Sequence, residues 1–367
     1  MKQLQRLSVV VVACGSLALG MAACGSNDNS GSSTTSGDQK GGTINGAGAT
    51  FPAPVYSEWA ARFKDKQGTT VNYQAIGSGG GIAQFTAGTV DFGATDAPMK
   101  DAEITAAKAK GDPVHVPTVL GAVTVSYNVS GIATGLKLDG PTVADIYLGK
   151  VTSWDDKTIA RQNSGAKLPA TKISVCHRSD ESGTTKNFAQ FLAAYSKAWA
   201  DGPGVDKSVK WPTGTGAKGN DGVAACVKQT DGAIGYVEQA YALQNNFTTA
   251  AVKNKAGKYV VPTLDTITAA AASAKPPADL RFSTIDASGA TTYPISAVTF
   301  LLVYQDLCKA GLDTTKAGLV KDWLNYALGD GQAVAPELKY APLPDAIKSL
   351  AQAKVDALQC NGAAIAG

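Results

Sequence analysis

The sequence predicts an α/β protein built as two domains, and three observations lead there. Short β-rich runs alternate with helix-patterned runs along the chain. About 325 residues remain once an N-terminal leader and tether are set aside, which suits two domains better than one. Three glycine-rich loops each feed a helix and carry a hydroxyl residue at its mouth, and the third also carries an arginine.

In chain order, Lys2 and Arg6 form a basic head, residues 7–23 are largely apolar, and Met21-Ala22-Ala23-Cys24 sets small residues before a cysteine. This is the pattern of a secretory leader over residues 1–23. A retained membrane helix fits less well, because the run is short and its flank is rich in small residues. A cut at Cys14 would leave too short an apolar run. The end of the leader resembles a bacterial lipobox, with Met21 in place of the commoner leucine. In that motif the cysteine, here Cys24, becomes the lipidated, palmitate-bearing first residue of the mature chain. Residues 25–42 are Gly, Ser, Asn and Thr with little else. Such a stretch cannot bury enough apolar surface to order itself, so residues 24–42 read as a lipidated cysteine on a flexible tether spanning roughly 25 Å.

Removing Lys2 and Arg6 leaves 31 basic against 30 acidic residues. A near-neutral chain argues against a nucleic-acid binder, which needs a clustered basic face. It remains compatible with anion binding, since backbone dipoles and hydrogen bonds hold an anion without net positive charge.

The first loop, GAGATFPAP (46–54), leads into a run whose apolar residues Val55, Tyr56, Trp59, Ala60 and Phe63 fall at helical spacing. Pro52 or Pro54 suits its first turn, where a missing N–H costs nothing. The run 71–76 reads as a strand ending at the second loop, IGSGGG (76–81), which opens into a helix. Residues 90–94 read as a strand ending near Asp96. Residues 173–176 read as a strand ending at the third loop, RSDESGT (178–184), whose helix follows over 185–195. Helix N-termini present unpaired N–H groups and a positive dipole end, Gly183 has no side chain to block an approaching anion, and Arg178 adds a planar cation. Taken alone, the third loop reads equally well as a helix cap with a surface Arg–Asp pair. Three such loops in one chain suggest helix N-termini converging on one small anion. Ligands in open α/β sheets gather at the carboxyl ends of strands, where these loops lie. The Ala-rich stretch 268–279 reads as a surface helix and loop.

At these residues the chain resembles the phosphate-binding proteins of phosphate-specific ABC transporters, type II solute-binding lipoproteins. The stretches that carry the resemblance are GAGATFPAPVY (46–56), NYQAIGSGGG (72–81), TVDFGATDAP (89–98), DIYLGKVTSWDD (145–156), RSDESGT (178–184), KWPTGTGAKGNDGVA (210–224), GAIGYVEQAYALQNN (232–246) and YPISAVTFLLV (293–303), in the family's order. The resemblance implies a two-domain type II periplasmic-binding-protein fold with a hinge and a ligand cleft between the domains. It places domain 1 at 43–119 plus 295–367 and domain 2 at 120–294, with the runs 116–127 and 293–304 crossing between them. It also implies extracytoplasmic binding of inorganic phosphate at the outer face of a bacterial cell membrane. The lipid-anchored monomer would deliver the ion to permease subunits served by a cytoplasmic ATPase, with no catalysis and no cofactor.

By the same resemblance, the phosphate contacts are Thr50, Phe51, Ser78, Asp96, Arg178, Ser182, Gly183 and Thr184, and Asp180 pairs with the arginine. Asp96 is then the acceptor carboxylate. Phosphate keeps a proton at neutral pH and donates it to Asp96, whereas sulfate has none and meets a like charge. Read without the family, Asp96 is more simply a helix cap before Ala97-Pro98. His177 stands where some members have a second arginine. Glu181 stands where a small residue is common, and a carboxylate there weakens anion binding unless it points to water.

Six cysteines fall to four when Cys14 leaves and Cys24 is lipidated. Cys176, Cys226, Cys308 and Cys360 then sit in an oxidising space, with three pairings open and buried free thiols as the other possibility. Given the domain division that the resemblance implies, Cys176–Cys226 and Cys308–Cys360 are the expected pairs, since any other pairing would tie the domains together. No spacing resembles a metal site.

Two rival readings remain. Residues 214–219 match G-x-G-x-x-G, with Glu238 near the distance of a ribose-binding acid, but no convincing strand precedes them. A phosphate-ester hydrolase is the alternative of a different class, with Ser182 or Ser78 as nucleophile, His177 or His115 as base, and Asp96 or Asp180 as orienting group. The chain has two histidines and no G-x-S-x-G elbow. A neighbouring binding function is capture of another protonated oxyanion such as arsenate.

Overall fold

The computed structural model describes residues 41–365. The leader, Cys24 and the tether as far as residue 40 lie outside the described residues. Gly42, assigned above to the tether, instead opens the first strand, where its backbone pairs with Thr69.

Two-residue strands at Thr248–Thr249 and Ala341–Pro342 pair beside the path of a main sheet whose other eight strands are β1 (Gly42–Gly48), β2 (Thr69–Ala75), β3 (Phe92–Thr95), β4 (Pro113–Asn128), β5 (Ser174–Arg178), β6 (Thr215–Ala217), β7 (Ala233–Glu238) and β8 (Ser296–Tyr304). Their order is β2-β1-β3-β8-β4-β7-β5-β6. β1 runs parallel to β2 and β3, and β5 runs parallel to β6 and β7. β8 and β4 are antiparallel to their neighbours. β4 joins the two parallel groups: its residues Pro113–Ala122 pair with β8, and Val123–Asn128 pair with β7. Apart from its first and last residues, β4 is buried along its whole length, as a strand covered on both faces must be.

Register decides where the loops go. Gly48 lies opposite both Ala75 and Ala94, so β1, β2 and β3 end at one level. Arg178, the last residue of β5, lies opposite Ala217, the last of β6. The carboxyl ends of both groups face the middle of β4, where Glu238 pairs with Val123 and Ser296 with Ala122.

Helix α1 (Ala53–Gln67) follows β1, with proline in its first turn and Gly68 in the left-handed region as its C-cap. Its buried face is Val55, Tyr56, Trp59 and Phe63, as the periodicity predicts. Trp59 and Phe63 pack edge-on against Trp323 of a long C-terminal helix (Thr314–Leu328). Helix α2 (Ser78–Ala87) follows β2, α3 (Gly183–Tyr195) follows β5, and α4 (Gly219–Gln229) follows β6. The Ala-rich stretch differs from expectation. Leu264–Ala272 is a helix that buries Ile267, Ala270 and Ala271, because alanines at helical spacing pack closely where the composition indicated only surface. Disulfides join Cys176 to Cys226 and Cys308 to Cys360. Among the described residues, no helix is long and apolar enough to cross a membrane.

Candidate functional site

Six loops leave the carboxyl ends of the parallel strands, and five meet at one buried point. From β1 comes Thr50, whose Oγ1 accepts from the Asn220 backbone N–H at 3.2 Å and its Nδ2 at 2.9 Å. From β2 comes Ser78, the first residue of α2, placed by Gly77 at φ +92°, a conformation that favours glycine. Ser78 Oγ accepts from the N–H groups of Asp96 (3.2 Å) and Gly183 (3.1 Å), and its proton is directed to Asp96 Oδ2 at 3.4 Å. From β3 comes Asp96. Its Oδ1 accepts from Thr299 Oγ1 at 3.0 Å, and its backbone carbonyl accepts from Asn187 Nδ2 at 2.8 Å.

From β5 comes Arg178. Its Nε and Nη2 donate to the two Asp180 oxygens at 2.7 and 2.5 Å, the bidentate fork an arginine makes with a carboxylate. Its Nη1 donates to Thr184 Oγ1 at 3.3 Å. Ser182 caps α3 by accepting from the Thr185 N–H, which leaves the hydroxyl proton available for another acceptor. Asp180 Oδ1 also accepts from the Gly219 N–H at the start of α4, on the loop from β6. Gly183 has a steric role. A Cβ there would lie 2.5 Å from Ser78 Oγ and 2.8 Å from the Asp96 Cβ, so only glycine lets the two loops approach. Thr50, Phe51, Ser78, Asp96, Arg178, Ser182 and Thr184 are all buried, with Asp96 and Arg178 each 2% exposed.

Burial pushes the Asp96 carboxyl up to about 7, against the Thr299 hydrogen bond and the charge of Arg178, which favour ionisation. Asp180 goes the other way. Burial raises it, but the Arg178 guanidinium and the Gly219 N–H outweigh burial and hold it below the usual carboxylate range. The site thus contains one anionic partner locked to the arginine and one carboxyl near its neutral point. Groups with such divergent titration mark functional sites.

Glu181 is exposed, and its side chain lies over Gly79 outside this cluster. Its carbonyl accepts from the Gly79 N–H at 2.9 Å. The carboxylate that the sequence set beside an anion site therefore faces water.

Asn220 was missed from the sequence. Its Nδ2 reaches both Thr50 Oγ1 and Thr184 Oγ1, and its Oδ1 accepts from the Glu238 N–H. It lies in KGND (218–221) at the mouth of α4, where a glycine before a helix is the one local signal. Ion pairs also join the segments beside the site: Lys207 Nζ to Glu103 Oε1 and Lys100 Nζ to Asp206 Oδ2, both 2.5 Å. The Lys207 side chain is 3% exposed, and its backbone carbonyl accepts from the Ser182 N–H.

Both rival readings lose their geometry here. No strand occupies residues 202–214, and Glu238 turns to Ala240 and Tyr340. His177 stacks on Trp211, with ring centroids 4.6 Å apart, and its Nδ1 lies 3.0 Å from the Arg178 carbonyl. Buried His115 accepts from the Met99 N–H, and burial pushes it down to about 4. Each histidine is thus committed away from Ser78 and Ser182. Among the described residues, no group of three His, Cys, Asp or Glu side chains could hold a metal ion.

A sequence family described as a PBP superfamily domain matches residues 33–330. The phosphate-binding protein PstS of Pasteurella multocida is 43% identical over 325 residues, 87% of this chain and 92% of that protein. Phosphate-binding protein PstS 3 of Mycobacterium tuberculosis is 36% identical over 367 residues, 96% of this chain and 98% of that one. Among solved structures, a high-affinity periplasmic phosphate-binding protein determined with bound phosphate superposes with a TM-score of 0.69 at 23% identity, covering 85% of this chain and 93% of its own. At that identity the likeness concerns the fold.

Proposed function

The chain belongs to the PstS phosphate-binding proteins of the PBP superfamily, and from that premise we propose that it captures inorganic phosphate outside the cell and delivers it to an ABC permease. One observation carries the reading: a buried arginine, a near-neutral carboxyl, several hydroxyls and the start of α3 converge on one point. Arg178 would supply the formal charge. Thr50, Phe51, Ser78, Ser182, Gly183 and Thr184 would supply donors, and Asp96 would accept the proton that phosphate carries. Asp180 would orient the arginine. The protein would bind without catalysing or using a cofactor, lipid-anchored through Cys24 as a monomer. Arsenate, which also carries a proton, would pass the same filter.

The two lobes of the proposal, 43–119 plus 295–367 and 120–294, would close on the ion about the β4 and β8 crossings. Phosphate shifts that equilibrium only through contacts it makes better in the closed form. Isothermal titration of the purified, ligand-stripped protein with phosphate and with sulfate tests the function. Tight phosphate binding and far weaker sulfate binding are expected; heat with neither ion, confirmed by a second binding method, would overturn it.

The Lys207–Glu103 pair would join the lobes only on closure. Lys207→Glu is expected to weaken phosphate binding roughly tenfold, mainly through faster release, because it sets a like charge against Glu103 at a buried position. Glu103→Lys in the same chain should restore most of the loss in stopped-flow release. Equal release rates in wild type and Lys207→Glu would remove the pair from closure.

A further inference from the structure

Glu238 is a fully buried carboxyl to which the site described above assigns no role. It ends β7 and caps the next helix (Gln239–Gln244), where its Oε2 accepts from the Ala240 N–H at 2.7 Å. The same oxygen lies 2.8 Å from the hydroxyl of Tyr340, and that hydroxyl lies 2.7 Å from the Phe51 carbonyl. All three residues are buried.

A hydrogen inventory leads further. A tyrosine hydroxyl has one proton, and it faces two oxygen acceptors here. If Glu238 were ionised, that proton would go to the carboxylate, and the Phe51 carbonyl would lose its donor. If Glu238 carries a proton, it donates to Tyr340 Oη and Tyr340 donates to Phe51, so both contacts are satisfied. The other carboxyl oxygen, Oε1, has no hydrogen-bond donor among the described residues. A bare buried carboxylate oxygen costs far more than a bare carbonyl oxygen of a neutral acid.

We propose that Glu238 is held as a neutral carboxylic acid that donates to Tyr340, leaving the Tyr340 hydroxyl to fix the Phe51 carbonyl and with it the first anion-binding loop. Glu238 and Tyr340 are then positioning residues. Tyr241 completes the arrangement, donating to the Thr50 carbonyl at 2.6 Å. That carbonyl shares a peptide plane with the Phe51 N–H, which a trans peptide points the opposite way. Two tyrosines therefore fix the peptide planes on both sides of Phe51. Burial pushes the Glu238 carboxyl well above the usual range, against the Tyr340 hydrogen bond and the Ala240 and Gln239 N–H groups, which favour ionisation, and the nearby Asp96 charge adds to it. Tyr340, Tyr241 and Asp96 are the ionisable groups that act on it.

The role in the loop rests on the phosphate reading; the protonation does not. The chain has five glutamates, so carboxyl carbon shifts of glutamate-labelled protein can be followed singly by NMR. One glutamate, assigned to Glu238, should keep the shift of a neutral acid at pH 7. Titration with inorganic phosphate should show Tyr340→Phe binding about fivefold to tenfold more weakly than wild type, the loss one buried hydrogen bond carries. Glu238→Gln, which can still donate an amide hydrogen to Tyr340, should bind more tightly than Glu238→Ala. A Glu238 shift typical of an ionised carboxylate at pH 7 would overturn the proposal. Wild-type phosphate affinity in Tyr340→Phe would remove the positioning role. Absence of phosphate binding by wild type would instead overturn the functional reading, and the carbon shift would still decide the protonation.

Discussion

Arg178→Ala should weaken phosphate binding by at least about 2 kcal/mol, roughly thirtyfold in Kd, in isothermal titration. The magnitude follows from burial. The side chain is 1% exposed, so its charge acts without the screening that reduces surface ion pairs to small effects. Asp180 occupies Nε and Nη2, which fixes the guanidinium plane and leaves Nη1 on the side of Thr184. Removing the arginine also leaves Asp180 with the Gly219 N–H in place of a bidentate partner, and takes away a charge that holds Asp96 down. Arg178→Lys keeps the charge but not the fork, so it should lie between wild type and alanine. A loss below about 1 kcal/mol for the alanine variant would mean that the pair behaves as an exposed bridge and not as the anion's partner.

Asp96→Asn should abolish most of the discrimination against sulfate. The substitution keeps the size of the group and an acceptor for Thr299, but it replaces a proton acceptor with an amide that can donate. Wild type should show its own pH signature. With the carboxyl near 7 in the absence of ligand, sulfate binding above that pH requires uptake of one proton. Its affinity should then fall about tenfold per pH unit. The asparagine variant should lose that dependence. Stability follows the same linkage. A carboxyl raised from 3.8 to about 7 on folding makes the native state hold more protons than the unfolded chain between those values. Stability from this group is therefore present at low pH and declines as pH rises through the window, the reverse of a salt-bridged aspartate. Thermal melts of the ligand-free variant should lack that decline. Unchanged sulfate rejection by Asp96→Asn would end the filter argument.

Local chemistry wrote much of this protein into its sequence. The periodicity of Val55, Tyr56, Trp59 and Phe63 specified a helix and its buried face, because a 3.6-residue repeat leaves one stripe to cover. Glycine and hydroxyl residues before apolar runs marked the starts of α2 and α3, since those positions must satisfy free N–H groups or adopt backbone angles closed to other residues. The pairing of Arg178 with Asp180 was visible at a spacing of two. What the tertiary structure decided was which of these pieces meet. Asp96 read most simply as a helix cap, and only burial beside Ser78 and Thr299 turns it into a carboxyl near neutrality. Glu181, adjacent to the site in sequence, would weaken anion binding unless it pointed to water, and only the fold shows that it is exposed. Asn220 is 170 residues from Thr50, and Tyr340 is 289 from Phe51. Contacts at such separations leave no local pattern. They follow from the register of β1, β2 and β3, from the level at which β5 and β6 end, and from the single long strand that sets both groups against its middle.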